Sequence, residues 1–443
     1  MSTPTIAIIG SGPSGCFMAQ ALRREWPDAE ITLLERLPVP YGLVRYGVAP
    51  DHPGTKAVTR QFERMFEREK IRFLGNVHVG TELPLADLRA AYDIVVVATG
   101  LYGDRKLGVP GDALNHIYGA GQVTRFLNDH PDEEAFLPRF GTRPIIVGNG
   151  NVAIDVLRLL VKKGEEFHGS DLSHEALTHL ASSPIEHIDV VGRSPAALAK
   201  FDTVMIKELA KLANVQFEFN DELDLESIED PLAKAKIEAL LGLARAKIET
   251  LLALARSEAE PYTSKKSVTF HFGWAPVRVA GVDHVAGLVL KGTQNPDHQQ
   301  SIPATSIITA IGFEERPELD LCRTDLSRPG SDLSNGFLDD GLYCTGWFRR
   351  GPTGTIPDNR ADAKHVADNI VQAVKSGALG LGKPGYPAIA EAIKSTTVCY
   401  EDWKRIDTAE LKNAPYGRAR RKFRNKVAML GAAQSHQAGE NNK

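Results

Sequence analysis

The chain has 443 residues, with 52 Lys and Arg against 56 Asp and Glu and a formal net charge of −4. That length accommodates two or three domains, and a mildly acidic balance without a basic stripe argues against nucleic acid as a partner. No run of about 18 apolar residues occurs, so no membrane span is expected. Four scattered cysteines, Cys16, Cys322, Cys344 and Cys399, without C-x-x-C spacing, point to a reducing compartment and to no iron–sulfur cluster, redox disulfide or metal site in the chain itself.

The first predicted element is a buried parallel strand at residues 6–9, all β-branched or small and apolar. It starts so near Met1 that no signal or transit peptide is expected, and a cytoplasmic location follows. The strand runs into Gly10-x-Gly12-Pro13-Ser14-Gly15. Gly10 permits a tight turn, Gly12 lets backbone approach a pyrophosphate, and Gly15 lets the next helix pack on the strand. A second strand at 30–34 ends at Glu35, about 20 residues beyond the last glycine, where an acid accepts hydrogen bonds from ribose hydroxyls. A closing strand at 94–98 leads into Thr99-Gly100.

A second fingerprint, Gly148-Asn149-Gly150-Asn151-Val152-Ala153, follows a strand at 144–147. Its next strand, 188–191, ends in Gly192-Arg193 rather than in an acid. Arginine there suits the 2′-phosphate of NADP, which an acid would repel; a plain solvated arginine is the alternative. The first copy thus reads as a site for FAD or NAD and the second for NADP. Two dinucleotides in one chain most simply pass a hydride between them.

Farther along, AKIEALLGLAR at 235–245 is repeated as AKIETLLALAR at 246–256. Eleven residues are nearly three helical turns, so the repeat predicts one long helix beginning after Pro231. Its Lys236, Arg245, Lys247 and Arg256 are either a solvated face or a docking surface. An apolar strand at 307–311 precedes Gly312. The predicted fold class is α/β, with two Rossmann-like dinucleotide-binding domains, the second inserted into the first. Residues 1–104 and 313–430 form the FAD domain, 105–312 the NADP domain with a helical insert near 231–257, and 431–443 a polar, disordered tail.

Beyond the glycine loops, four stretches resemble the adrenodoxin reductase type of NADPH:ferredoxin reductase over about residues 5–430. They are PVPYGLVRYGVAPDHP at 38–53, IIVGNGNVAIDV at 145–156, TGWFRRGPTGTIPDNRADA at 345–363 and WKRIDTAELKNAPYGRARRK at 403–422. The resemblance implies hydride transfer from NADPH to FAD, then single-electron delivery to a ferredoxin, acidic and of the [2Fe–2S] or a similar kind, that feeds a monooxygenase such as a cytochrome P450. It implies that Trp347 packs beside FAD, that Leu43 and Val79 are flavin-side and adenine-side contacts, and that Gly354, Thr355 and Ile356 present backbone N–H groups to the flavin pyrimidine, Gly354 also serving NADP. His52 and Asp155 match residues near the nicotinamide; each also has an ordinary reading, as a turn and a helix residue. At one position the chain departs from the family: Ser194 stands where a second arginine is usual, and Lys200 is a possible compensating cation. The register to Glu208, a further NADP-site residue, is shifted by an insertion of about three residues. NADH is therefore a rival to NADPH. Arg349-Arg350 and the cluster Arg418, Arg420, Arg421, Lys422, Arg424 and Lys426 are candidate basic surfaces for the acidic ferredoxin. A disulfide reductase would need paired cysteines, and an electron-relay subunit would carry cysteines for clusters. A flavin monooxygenase or a dinucleotide sensor would need no ferredoxin.

Overall fold

The computed structural model describes residues 3–212, 214–220, 228–256, 266–318, 321–395 and 397–435, the side chains of 245–256 excepted. The strand at the N-terminus, Thr5–Ile9, sends Ile6 and Ile8 to one face and Ala7 and Ile9 to the other, and all four are buried. Burial on both faces is the mark of an interior parallel strand. It pairs in parallel with Glu30–Glu35 on one side and Ile94–Val97 on the other. The full sheet runs Phe337–Asp339, Leu342–Cys344, Ile94–Val97, Thr5–Ile9, Glu30–Glu35, Arg72–Gly75. The first of these is antiparallel to its neighbour. The helices Pro13–Glu25 and Ile356–Lys375 cover one face, contributing Phe17, Met18, Val366 and Ile370 to the same core as Ile6 and Ile8.

The second sheet is parallel throughout, in the order Ile117–Gly119, Ser306–Thr309, Pro144–Val147, His187–Gly192, Lys266–Phe272, Val215–Phe219. The helix Asn151–Val161 packs Ile154 and Leu157 against one face. A three-stranded antiparallel sheet, Trp274–Gly281, Val285–Gly292 and Gln299–Pro303, covers the other with Trp274, Leu288 and Leu290. The chain leaves the first domain along Gly103–Asp104 and returns along Phe313–Glu314, and these two crossings pair with each other. The whole second sheet lies between them, so one Rossmann-like domain is inserted into the other.

The tandem repeat lies in a single helix, Pro231–Arg256, whose Ile237, Leu240 and Leu243 are buried. The Lys236 ammonium donates to the Ala199 carbonyl at 2.7 Å, so this residue anchors the helix rather than standing free for docking. The side chains of Arg245, Lys247 and Arg256 lie outside the described residues. One expectation needs correction. Residues 431–434, read as the start of a disordered tail, complete the helix Lys426–Gln434. Asn425 caps it, its Oδ1 accepting from the Ala428 N–H at 2.8 Å, and Met429 and Ala433 sink into the core of the first domain. Residues 436–443 lie outside the described residues.

Candidate functional site

Both fingerprints stand at the carboxyl ends of their sheets, where open α/β folds bind ligands. In the first, the Gly10 N–H donates to the Leu34 carbonyl at 2.7 Å, turning the chain back over the sheet. Gly10 has φ +104°, and a Cβ there would meet the Ala98 carbonyl oxygen at 2.6 Å. A Cβ on Gly15 would overlap the Gly10 carbonyl oxygen outright, whereas one on Gly12 meets nothing nearer than Gly42 Cα at 4.0 Å. Gly10 and Gly15 are therefore demanded by packing, and Gly12 is not: its missing side chain leaves a lane open. Gly12 caps the helix Pro13–Glu25 without a side-chain bond and with no acid in the first turn. The leading amides and the helix dipole thus have no capping side chain or first-turn acid, the arrangement by which a helix N-terminus can cradle a phosphate. Glu35 closes one rim, accepting from the Ser11 N–H (3.1 Å) and hydroxyl (2.8 Å).

Gly42, not singled out from the sequence, closes the other rim. It has φ +45°, follows Tyr41 at φ +82°, and a Cβ on it would meet Gly12 Cα at 3.0 Å. The two glycine backbones face each other, and the Tyr41 N–H, bonded to the Ser11 carbonyl at 3.1 Å, fixes the approach. Leu43 is next in line and packs under Gly47. Val79 is buried with Ile9 and Leu34 beside the strand ends.

The segment 345–359 comes down on the same cradle. Asp362, buried, accepts from the Thr345 hydroxyl (2.7 Å) and the Gly346 N–H (2.5 Å) and pairs with Arg349 and, at 3.0 Å, Arg350. The Ser14 hydroxyl reaches Asn359 Oδ1 at 3.0 Å, tying the first helix to the helix Ile356–Lys375. Trp347 lies against Phe313 at 5.3 Å between ring centroids with the planes tilted by 31°, and its buried Nε1 has no hydrogen-bond partner among the described residues. A buried donor without a partner is costly, and an acceptor on a cofactor beside this ring would satisfy it. The Thr355 N–H is engaged by Asp358 at 2.5 Å in a capping box. The Thr355 amide thus serves the cap of its own helix.

The second cradle repeats the first. The Gly148 N–H donates to the Val191 carbonyl at 2.8 Å. Gly148 has φ +134° and its Cβ would overlap the Ala310 carbonyl oxygen, whereas a Cβ on Gly150 would meet only Lys200 Cβ at 3.9 Å. Gly150 caps the helix Asn151–Val161, again without a side-chain bond or a first-turn acid. Asn149 backs onto Gly192 and lies 3.5 Å from the Ser194 hydroxyl. The Asn151 side chain accepts from the Asp202 N–H at 2.7 Å. Val152 packs against the core of this domain. Arg193 is exposed at the strand end and enters no ion pair among the described residues.

Between the cradles the structure gathers His52, Asp155 and Glu208. His52 Nε2 is 3.0 Å from Glu208 Oε2, and Nδ1 is 3.7 Å from Asp155 Oδ1. Glu208, for which the sequence register was shifted, therefore lies with His52. Arg158, only 2% exposed, binds Asp155 (2.7 Å) and Glu208 (3.3 Å) and holds Asp51 through two nitrogens at 2.7 and 3.0 Å. Burial raises the Asp155 carboxyl above its ordinary range against the pull of Arg158 and His52. Burial also acts to raise Asp51, but Arg158 and Lys162 outweigh it and hold that carboxyl well below. Arg158, not singled out from the sequence, is the one arginine in the otherwise largely apolar helix NVAIDVLRLLV, and that is the signal this hub leaves in the chain.

The two basic surfaces expected to dock a partner are largely consumed internally. Arg349 and Arg350 belong to Asp362, as above. Lys422 is wholly buried and shares Asp171 with Lys56, at 2.8 and 2.7 Å. Arg420 pairs with Asp407 (2.5 Å) and Glu410 (3.2 Å), and Arg424 with Asp129. Arg418 donates to the Phe167 carbonyl, and Lys426 to that of Arg36. Only Arg421, half exposed and 3.6 Å from Glu175, resembles a surface cation. Arg418, Lys422 and Arg424 tie the C-terminal segment to the inserted domain, Arg420 pairs within that segment, and Lys426 reaches the first domain.

The family model of the pyridine nucleotide-disulphide oxidoreductases matches residues 4–328. The chain is 45% identical over 433 residues to cindoxin reductase of Citrobacter braakii, covering 98% of this chain and 92% of that one. It is 32% identical over 436 residues to the probable mitochondrial NADPH:adrenodoxin oxidoreductase of Schizosaccharomyces pombe, covering 93% and 91%. Among solved structures, FprA of Mycobacterium tuberculosis in complex with NADPH is similar at a TM-score of 0.83 and 30% identity, over 98% of this chain and 100% of that one. With two glycine cradles on two sheets that are parallel but for one edge strand, and this similarity along nearly its full length, the chain belongs to the pyridine nucleotide-disulphide oxidoreductase family, among the adrenodoxin reductase-type ferredoxin reductases.

Proposed function

We propose that this chain takes electrons from NADPH and delivers them singly to a small iron–sulfur protein, with FAD as its resident cofactor. The observation that carries the reading is the pair of uncapped cradles: two helix N-termini, each opened by a glycine that packing does not require. Gly10, Gly12, Pro13, Ser14, Gly15, Glu35, Leu43, Val79, Trp347, Gly354 and Ile356 would hold FAD. Gly148, Asn149, Gly150, Asn151, Val152, Arg193 and Ser194 would hold NADP, with Gly354 at the junction. FAD supplies the exchange between a two-electron donor and a one-electron acceptor.

The chain's own contribution is positional and electrostatic. Gly354 and Ile356 amides, at the start of the helix Ile356–Lys375, would stabilise negative charge on a flavin ring. Arg158 holds Asp155 and Glu208 against His52, which orients the imidazole beside the junction of the cradles. The partner in this reading is an acidic ferredoxin of the [2Fe–2S] or a similar kind, serving a monooxygenase such as a cytochrome P450 in the cytoplasm. Names of the relatives, cindoxin reductase and NADPH:adrenodoxin oxidoreductase among them, support a carrier protein of this class.

NADH is a second reading, favoured by the single arginine at the strand end, Arg193, followed by Ser194. Ferricyanide reduction with NADPH and NADH side by side separates the two. NADPH is expected to give the higher kcat/KM, and Arg193→Ala to lower it for NADPH more than for NADH. Equal effects on both nucleotides would remove Arg193 from the site.

A further inference from the structure

Resting on the NADPH reading, we propose that Lys200 is a specificity-determining residue of the second cradle, the cation that works with Arg193 on the 2′-phosphate. The lane left open by Gly150 leads to the Cβ of Lys200 at 3.9 Å, just as the lane left by Gly12 leads to Gly42 at 4.0 Å. Lys200 thus stands across the second cradle from its central glycine.

Its backbone is fixed there. Ala199 and Phe201, on either side, are buried at 0% and 2% exposure. The Ala199 carbonyl is held by Lys236, and the Asp202 N–H by Asn151 of the cradle loop itself, both at 2.7 Å. With both neighbours turned into the core, Lys200 is left exposed. It enters no ion pair among the described residues. The carboxylate nearest along the sequence, Asp202, accepts from the Val204 N–H at 3.0 Å.

The charge balance favours such a group. A phosphate monoester carries about −1.5 to −2 charges near pH 7. Arg193 supplies one positive charge, and Ser194 beside it offers a neutral hydroxyl already 3.5 Å from Asn149. Lys200, a point charge on a flexible four-carbon stem, offsets the remainder. NAD lacks that phosphate and gains nothing from Lys200.

The test is equilibrium binding of NADP+, 2′,5′-ADP and NAD+ to the FAD-loaded chain by titration calorimetry, for the native protein, Lys200→Ala and Lys200→Glu. Lys200→Ala should weaken NADP+ and 2′,5′-ADP about fivefold, the scale of one exposed charge pair, leave NAD+ unchanged, and flatten the salt dependence of NADP+ binding. Lys200→Glu should weaken the two phosphorylated ligands further, with the flavin spectrum intact. Unchanged affinity for both nucleotides in Lys200→Ala overturns the proposal alone, as does an equal loss for both, which would assign the lysine to the pyrophosphate. A native chain that does not favour NADP+ over NAD+ overturns the NADPH reading itself, and the proposal with it.

Discussion

Two glycines of one fingerprint should respond in opposite ways to the same added methyl group. At Gly12, φ is −69° and ψ −177°, a conformation alanine adopts freely, and the new Cβ would lie 4.0 Å from Gly42 Cα. The folded chain should lose no more than about 1 kcal/mol, the cost of alanine at a helix N-cap. At Gly10, φ is +104° and the Cβ would meet the Ala98 carbonyl oxygen at 2.6 Å. A left-handed backbone costs an L-residue about 1–2 kcal/mol, and overpacking adds about 1–3 kcal/mol, so Gly10→Ala should lose roughly 2–5 kcal/mol of stability, whether or not FAD is present. The assay is a thermal midpoint with and without FAD, together with the flavin absorbance of the purified protein. The native chain should gain about 2.7 kcal/mol when FAD is a hundredfold above its Kd. Gly12→Ala should fold, remain colourless and gain nothing, because its methyl fills the pyrophosphate lane. A Gly12→Ala protein carrying one FAD per chain would refute the cradle argument, and a Gly10→Ala protein of native stability would refute the packing argument.

The same logic extends to the second cradle: Gly150→Ala should keep its flavin but lose NADP+ binding, whereas loss of flavin would show that the two cradles are not independent. Asp129 is buried, and burial raises its carboxyl to about 6. The folded state then binds that proton more tightly than the unfolded state, so its contribution is present below about pH 4 and lost as pH rises through about 6. Asp129→Asn, which tolerates the φ of +57°, should lack this loss, and denaturation curves of equal pH slope for both proteins would rule the idea out. Asp362→Asn removes the charge that holds Arg349 and Arg350 over the first cradle and should cost about 3 kcal/mol, the low end for breaking a buried pair. Faster flavin release on dilution is the expected companion, and unaltered release would show that the segment 345–359 does not hold the cofactor.

What the sequence disclosed was local. A β-branched run, a glycine turn and a helix start are specified by neighbouring residues, so both strand–loop–helix units and Glu35 at the strand end were legible, as was the single repeat helix. Gly42 was hidden because its partner, Gly12, comes from another segment of the chain. The basic run at 418–426 misled for a related reason. Consecutive cations look like a surface, yet Lys422 is buried against Asp171 and Arg420 is paired with the buried Glu410, partners that no spacing rule connects. The tail was misjudged at its start because the polar residues after Gly431 outweighed two quieter signals, the Asn425 cap and the i, i+4 pair Met429 and Ala433.

The central claim, that electrons leave this chain one at a time to a protein carrier, is tested most directly by cytochrome c reduction from NADPH in the presence and absence of an added [2Fe–2S] ferredoxin. The rate should be low with the reductase alone, rise with ferredoxin to saturation, and fall with increasing salt as screening shortens to about 8 Å at physiological ionic strength and further above it, while ferricyanide reduction changes little. Ferricyanide reduction at full rate with no reduction of any ferredoxin would contradict the account.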